Sequence, residues 1–542
     1  NIDAANPGGA ALVNSVVGDA LRFSLATAGG GNNNDLFTMS DNGEVRVGGT
    51  GGIPGPGTYV VEVVAFDGIQ SSTQTVTVTI TGSLLANGIF TTGNDTVDLN
   101  TFDLSLYTQL AATDALAGND TVTLSDTQNI GLLFTGDAGN DTITGSLNSD
   151  NINGGANDDL INGGLGNDTI DGGSGLDVAM FDGVVYGFAV TAYNDDGSIV
   201  YTDTNLADGN AGSDTLSNIE RIGNTLGGWS EVQLAGSGSQ VLVSQQVFWD
   251  IMNGGAGDDS LTGGDGNDWL GGASGLDIIN GGAGDDHIDG GADNDTIDGG
   301  ADNDMINGGT GNDTINGGDG LLDVAIFDGH VYGFAVTAYN DDGSIVYTDI
   351  NLADGNAGSD TLSNIERIGN TLGGWSEVQL AGSGSQVLVS QQVFWDIMNG
   401  GAGDDTVTGG DGNDWLGGAS GLDIINGGDG NDMLTGGADA DTFVFDTVLS
   451  AFNVDTITDF EVGLDQISLS SSIFTALSPG PLLSSQFAFS TAVDANSRII
   501  YDDATGGLSY DADGDGVGIA QEFAKLQTGL TTLSEADFIV TA

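Results

Sequence analysis

Aspartate recurs at the sixth place of a nine-residue unit, and no other residue type capable of chemistry recurs with it. The stretch GGADNDTIDGGADNDMINGGTGNDTIN, residues 290–316, holds three such units. Each opens with two glycines and puts one apolar residue at its eighth place. The sixth-place aspartates are Asp141, Asp150, Asp159, Asp168, Asp177, Asp259, Asp268, Asp277, Asp286, Asp295, Asp304, Asp313, Asp405, Asp414, Asp423, Asp432 and Asp441. Carboxylates act as general acids and bases, as nucleophiles, or as ligands for a hard cation. Acid–base work needs two poised groups rather than a periodic row. A row beside glycine turns, which leave backbone carbonyls open, suits a cation that gathers roughly six to eight oxygens.

The composition narrows the choice. The chain has 542 residues, 94 of them Gly, and a formal net charge of -72. Only six residues are basic, and nine of the 78 acids are Glu. Asp with Gly points to tight turns that hold charge in place. The charge excludes nucleic acid and anionic membrane as partners, because both need a basic footprint. There is no Cys, and His287 and His330 lie far apart, so thiolate sites, disulfides and zincin sites are absent. No G-x-S-x-G, no phosphate-cradling loop and no membrane-spanning apolar run occurs. Apolar residues make up 39% and recur at fixed places, which argues for a folded chain when metal is present. The chain starts with Asn and shows no secretory signal, so it is expected to be processed or exported by another route.

The unit resembles the repeat of calcium-binding parallel β-helices. On that resemblance G-G-x-G-x-D forms a turn and the last three residues a short strand. Two strands and two turns make one coil. Asp286 and Asp304 then stack on one side, and Asp277, Asp295 and Asp313 on the other. Ile279, Ile288, Ile297, Ile306 and Ile315 point inward. Rungs of a sheet lie about 4.8 Å apart. Carboxylates at that distance repel by about 1 kcal/mol in water and about 3–4 kcal/mol at an effective dielectric of about 20. One small apolar residue per rung returns only about 2 kcal/mol. A bare row would unzip the coil, and Ca²⁺ between the rows reverses the sign. Mg²⁺ holds its waters too tightly, and Zn²⁺ lacks His or Cys.

Three blocks of units are separated by two insertions. Aligning residues 176–282 with 322–428 leaves five differences: Met180/Ile326, Val184/His330, Thr204/Ile350, Ser260/Thr406 and Leu261/Val407. Within each insertion FAVTAY-NDDG-SIVYTD predicts a hairpin around an Asp-Gly turn. SEVQL and QVLVSQQVFW predict further strands of a small β module off the repeat axis. LRFSLA, GEVRV, TYVVEVVAF and TQTVTVTI predict strands in residues 1–83. Their order resembles a cadherin-like or immunoglobulin-like module, with Ala65-Phe66-Asp67 where that family places an Asp-x-Asp. QEFAKLQ, residues 521–527, predicts a short helix. The expected fold is all-β: a calcium-bound parallel β-roll solenoid with an N-terminal β-sandwich and a C-terminal cap. The expected segments are a sandwich at 1–83, an irregular β-helix cap at 84–135 and rolls at 136–180, 253–323 and 400–444. Insertions occupy 181–252 and 324–399, and the C-terminal region 445–542.

The blocks resemble the repeats-in-toxin (RTX) family of calcium-binding proteins exported by bacterial type I secretion. The resemblance implies that the seventeen aspartates are calcium ligands, with Gly145-Ser146-Leu147 and the shifted unit at Asp323 as weak links. GSDTLSNIERIG, DTFVFD, NVDTITDF and LSYDADGDGVGIAQEFAKL look like the segments that follow such rolls, including a terminal secretion region. The run from Asp511 to Gly516 spaces carboxylates like an EF-hand loop, with a polar turn as the alternative.

Missing catalytic constellations argue against an enzyme. Glu220, Glu231, Glu366 and Glu377 are the carboxylates a glycosidase would need, and each reads as structural. The expectation is an extracellular, cell-surface structural protein that self-assembles into a layer, sheet or filament. Contact would run through residues 181–252 and 324–399 or the N-terminal sandwich, with Trp229, Trp249, Trp375 and Trp395 as candidate contact aromatics. The alternatives are a monomeric adhesin for a carbohydrate or cell-surface ligand, and the secretion tail of a larger protein.

Overall fold

The computed structural model describes residues 22–25, 37–39, 45–47, 57–66, 71–80, 90–101, 112–126, 133–181, 188–204, 212–224, 229–244, 249–327, 334–350, 358–370, 375–390, 395–490, 493–514 and 518–542. It is all-β, 53% strand with no α-helix among the described residues, and is built around a parallel β-solenoid of about 15 turns. The chain divides into two units, Asn1–Thr191 with Val200–Trp229, and Ala192–Ile199 with Ser230–Ala542.

In the first unit, Arg22–Leu25 and Ser71–Ile80 flank Gly57–Phe66 in an antiparallel sheet, and Phe37–Met39 pairs with Val45–Val47. The full sandwich expected there lies outside the described residues. The solenoid follows. Thr96–Asp98, Thr121–Thr123, Thr142–Ser146, Leu160–Gly164, Val178–Phe181 and Arg221–Asn224 stack in parallel. A second sheet stacks Ala112–Asp114, Leu133–Thr135, Asn151–Ala156, Thr169–Ser174 and Ser213–Ser217. The register Thr142↔Leu160 and Asn151↔Thr169 is that of an eighteen-residue coil. Ile143, Ile152, Ile161 and Ile170 are buried between the sheets.

The second unit repeats the plan. Ile279, Ile297 and Ile315 line one inner face, Ile288 and Ile306 the other, each at most 3% exposed. The flanking Thr296 and Thr314 point outward, as the two-residue period of a strand demands. The coil returns so tightly that the second glycine of a pair has no room for a side chain. Gly282 sits at φ +112°, and a β-carbon there would lie 2.0 Å from the Gly264 carbonyl oxygen. At the fourth place Asp293 and Asp302 adopt φ of 77° and 75°, a left-handed geometry that Asp tolerates better than most residues.

The insertions join the solenoid instead of standing off it. Trp375–Leu380 pairs in parallel with Asp396–Asn399, and Val387–Val389 with Thr406–Asp411. The predicted hairpin departs from the coil. Phe334–Tyr339 and Ile345–Asp349 pair antiparallel, and the latter lies against Ser359–Ser363. Phe334 stacks on Tyr347 at 5.2 Å, with Phe327 tilted against both. Trp395 packs partly buried against the same core.

From the last nonapeptide onward the core widens. Phe443, Phe445, Phe474, Phe523 and Phe538 continue the row of Ile425 and Leu434. One expectation fails here. Gln521–Lys525 is a strand, antiparallel to Gly507–Tyr510 and parallel to Asp455–Ile457. Seven residues nucleate a helix poorly, while a waiting sheet edge supplies hydrogen bonds and a slot for Phe523.

Replacing Ile297 by Ala should cost about 2–5 kcal/mol, read from urea unfolding in saturating calcium. The outward Thr296→Ala should change the midpoint little, and equal losses at both positions would contradict the assigned faces.

Candidate metal centre

Every one of the seventeen sixth-place aspartates is buried, from Asp177 at 0% exposed to Asp150 at 8%. Each turn brings its carboxylate under the coil, where a backbone amide from the neighbouring coil meets it. Asp268 N–H donates to Asp286 Oδ1 at 2.7 Å, and Asp286 N–H donates to Asp304 Oδ1 at 2.8 Å. On the other edge Asp259, Asp277 and Asp295 donate in turn to Asp277, Asp295 and Asp313. The same pattern links Asp141 to Asp159 and Asp405 to Asp423.

That bond satisfies one oxygen only. The Oδ2 atoms of all seventeen but Asp150 are buried without any hydrogen-bond partner. Most of them face a carbonyl from the next coil. The point a β-carbon would occupy at Gly281 lies 2.3 Å from Asp286 Oδ2 and 2.4 Å from the Gly299 oxygen. At Gly299 the corresponding distances to Asp304 Oδ2 and the Gly317 oxygen are both 2.4 Å. Carboxylate and carbonyl oxygens thus converge along both edges, with no donor between them. Among the described residues no three His, Asp or Glu side chains converge on one point. A cation there must complete its shell from backbone carbonyls, which suits Ca²⁺ and its flexible oxygen shell.

Electrostatics leads to the same ion. Burial, only partly offset by the donated amide and reinforced by neighbouring carboxylates, pushes Asp286 and Asp295 up to about 8. The same causes push Asp159 and Asp304 up to about 7 and Asp141 and Asp277 to about 6. An ionised oxygen buried without donors demands a proton or a cation.

The ladder is longer than the nonapeptide pattern. Asp95 N–H donates to Asp120 and Asp120 N–H to Asp141. Asp168 and Asp177 donate onward to Asp214 and Glu220, and Asp313 and Asp323 to Asp360 and Glu366. Two of the Glu that a glycosidase could have used are therefore ladder acceptors. Asp250 and Asp396 enter by donating to Asp268 and Asp414. Asp432 and Asp441 donate to Asp455 and Asp465 at the far end. Asp250 and Asp396 had a legible signal, the sixth place of QQVFWDIMN. Asp214 and Asp360 had G-S-D-T-L.

The two predicted weak links differ. Asp323 is 0% exposed and accepts from Asp304 N–H at 2.9 Å, so the extra residue is absorbed in the turn. Asp150 is altered as the missing glycine suggests, because Ser146 N–H donates to its Oδ2 at 2.6 Å. The Asp511 run forms a turn in which Asp511 Oδ1 accepts from the Asp513 and Gly514 amides, and residues 515–517 lie outside the described set.

The match to a family of repeats agrees with this geometry. A family model described as the RTX calcium-binding nonapeptide repeat (4 copies) matches within residues 133–179, 248–320 and 394–446. No curated protein matches the chain. Among solved structures, the AlgE6R3 subunit of the Azotobacter vinelandii mannuronan C5-epimerase is 20% identical, over 30% of this chain and 80% of that one, at a TM-score of 0.18. The extracellular lipase LipA of Serratia marcescens is 16% identical, over 63% of this chain and 45% of the lipase, at a TM-score of 0.15.

A carboxyl raised in the fold keeps a proton that the unfolded chain releases above about pH 4. The penalty on metal-free folding is therefore absent below about pH 4 and grows as pH rises through the folded values of 6 to 8. With chelator, the β signal in circular dichroism should be lost as pH rises from about 4 to 8 and regained with millimolar calcium. The calcium needed to restore that signal should grow over the same rise, because more of the metal-free chain is unfolded. A chelated chain with full β signal at pH 8 would contradict both. Asp286→Asn should raise the calcium midpoint, read by titration at fixed pH.

Proposed function

We propose that this chain, which carries RTX calcium-binding nonapeptide repeats, is a secreted structural protein that calcium folds outside the cell and that then self-assembles. The repeats bind multiple Ca²⁺ ions. No described helix is long and apolar enough to cross a membrane. Secretion by a type I route rests on the likeness of the repeats and the C-terminal segments to that family.

One observation carries the assembly reading. The duplicated segments expose the same apolar residues twice. Val241, Val243, Leu276 and Ile278 are 75%, 47%, 53% and 59% exposed. Their counterparts Val387, Val389, Leu422 and Ile424 are 73%, 47%, 56% and 45% exposed. The strand residues lie on the outer face at the start of a roll, in the register Val241↔Ser260↔Ile278 and Val387↔Thr406↔Ile424. That row carries no charge, in a chain of net charge -72. Exposed apolar patches mark contact surfaces, and two per chain permit growth beyond a dimer. The non-enzymatic part of the reading is supported by Glu220 and Glu366, each engaged with a ladder amide.

Electron microscopy of the chain in millimolar calcium should reveal ordered sheets or filaments that dissolve on chelation. Changing Val241, Ile278, Val387 and Ile424 together to Lys should abolish them while leaving the calcium-induced β signal unchanged. Isolated particles in calcium would overturn self-assembly and favour a monomeric adhesin.

A further inference from the structure

The insertion hairpin makes contacts that the repeat itself does not need. Its base belongs to the second roll. Ile345–Asp349 pairs with Ser359–Ser363, which lies in parallel on Thr314–Gly318, the last regular strand of that edge. Its tip reaches the first coils of the third roll. Asn399 is wholly buried there, and its Nδ2 donates to the Asn340 oxygen at 3.0 Å and the Ser344 oxygen at 2.8 Å. Asn399 Oδ1 accepts from Gly401 N–H at 3.1 Å, which fixes the turn that leads to Asp405. Gly343, at φ +90°, lets the tip press onto Ala381, where a β-carbon would lie 2.0 Å from the carbonyl oxygen.

Tyr339 completes the seat. Its ring covers Gly417, where a β-carbon would meet the ring carbons at 2.2 Å. Gly417 is the ninth residue of its unit, a place held by Asn or Asp at Asn280, Asp289, Asp298, Asn307 and Asn316. A glycine there is otherwise a loss, because it packs nothing and costs entropy. Here it leaves a socket. The tip is stiffened by its own bonds, Asn340 N–H to the Ser344 oxygen and Ser344 Oγ to Asp342 Oδ1. The other copy has the same tip contacts, with Asn253 bonded to Asn194 and Ser198 and Tyr193 over Gly271.

From this we infer that the hairpin is a clamp that couples calcium-driven folding of one roll to the next. Once the second roll is folded, its hairpin presents a preformed surface to Asn399 and Gly417. The first turn of the third roll, which is costly to nucleate alone, then forms against it. Tyr339 and Gly417 are positioning residues, neither of them in the ladder. The Tyr339 hydroxyl is buried without a hydrogen-bond partner, so the seat depends on the ring.

The test is hydrogen exchange by mass spectrometry on the full chain across a calcium titration. Peptides within 283–316 report the second roll and those within 429–446 the third, and both stretches lie outside the duplicated sequence. In the unaltered chain both should become protected at one calcium midpoint. Tyr339→Ala and Gly417→Asn should split them, with the third roll needing about fivefold more calcium or beyond and the second unchanged. Gly417→Asn installs the ordinary ninth-place residue, so it leaves the coil able to fold. Tyr339→Phe should keep the single midpoint. Coincident midpoints in both Tyr339→Ala and Gly417→Asn would overturn the clamp, as would an equal shift of both rolls.

Discussion

The rest of the structure depends on one buried carboxylate oxygen per turn that has no hydrogen-bond donor. Its partner oxygen, Oδ1, is spent on the amide of the neighbouring coil, as between Asp268 and Asp286. Oδ2 is left facing a glycine carbonyl. In water such an oxygen is solvated, and in the coil it is not. The coil closes only if a proton or a cation replaces that solvation, and at neutral pH outside a cell the abundant hard cation is calcium. Stability has moved from the interior to the edges. The inner row of single isoleucines could not hold the turns together against the repulsion between rungs.

The same constraint explains the glycines and the way the ladder stops. A side chain at Gly281 would occupy the point on which the two oxygens converge. Where the solenoid ends, carboxylates find amide donors instead. Asp459 accepts from the Gly436 and Gly437 amides, and Asp465 from Glu461 and Asp441. Core residues change over the same stretch, from isoleucine to phenylalanine. Charge held by metal gives way to charge held by amides and to a thicker apolar interior.

Much of this was legible in the sequence because the repeat is strict. The spacing of Asp and Ile places both edges and the inner row, and NDDG places the hairpin tip. What escaped had one of two causes. Asp250 and Asp396 sit in a unit that lost its glycines, and Asp214 and Asp360 follow an insertion that breaks the nine-residue step. The fate of WSEVQL, of Gln521–Lys525 and of the Tyr339 socket depended on which sheet edge was within reach, and a local pattern cannot carry that. The ladder role of Glu220 and Glu366 was hidden for a further reason: a longer side chain substitutes for Asp where the register slips.

The duplication has a cost that follows from the sockets at Asn253 and Asn399. Both accept the same tip, Asn-Asp-Asp-Gly-Ser, with identical bonds. A tip therefore fits the wrong socket as well as its own. The correct closure joins residues 55 apart, as between Asn399 and Ser344. The mistaken closures would join residues about 90 apart, Ser344 to Asn253, or about 200 apart, Ser198 to Asn399, a loop-entropy difference of about 1 kcal/mol or less. Contact energy cannot discriminate between them, so order in time must. A chain that meets calcium from one end inward closes each tip on the nearest socket before the rival exists. Released all at once from denaturant, the same chain is exposed to swapped pairings, within one molecule or between two.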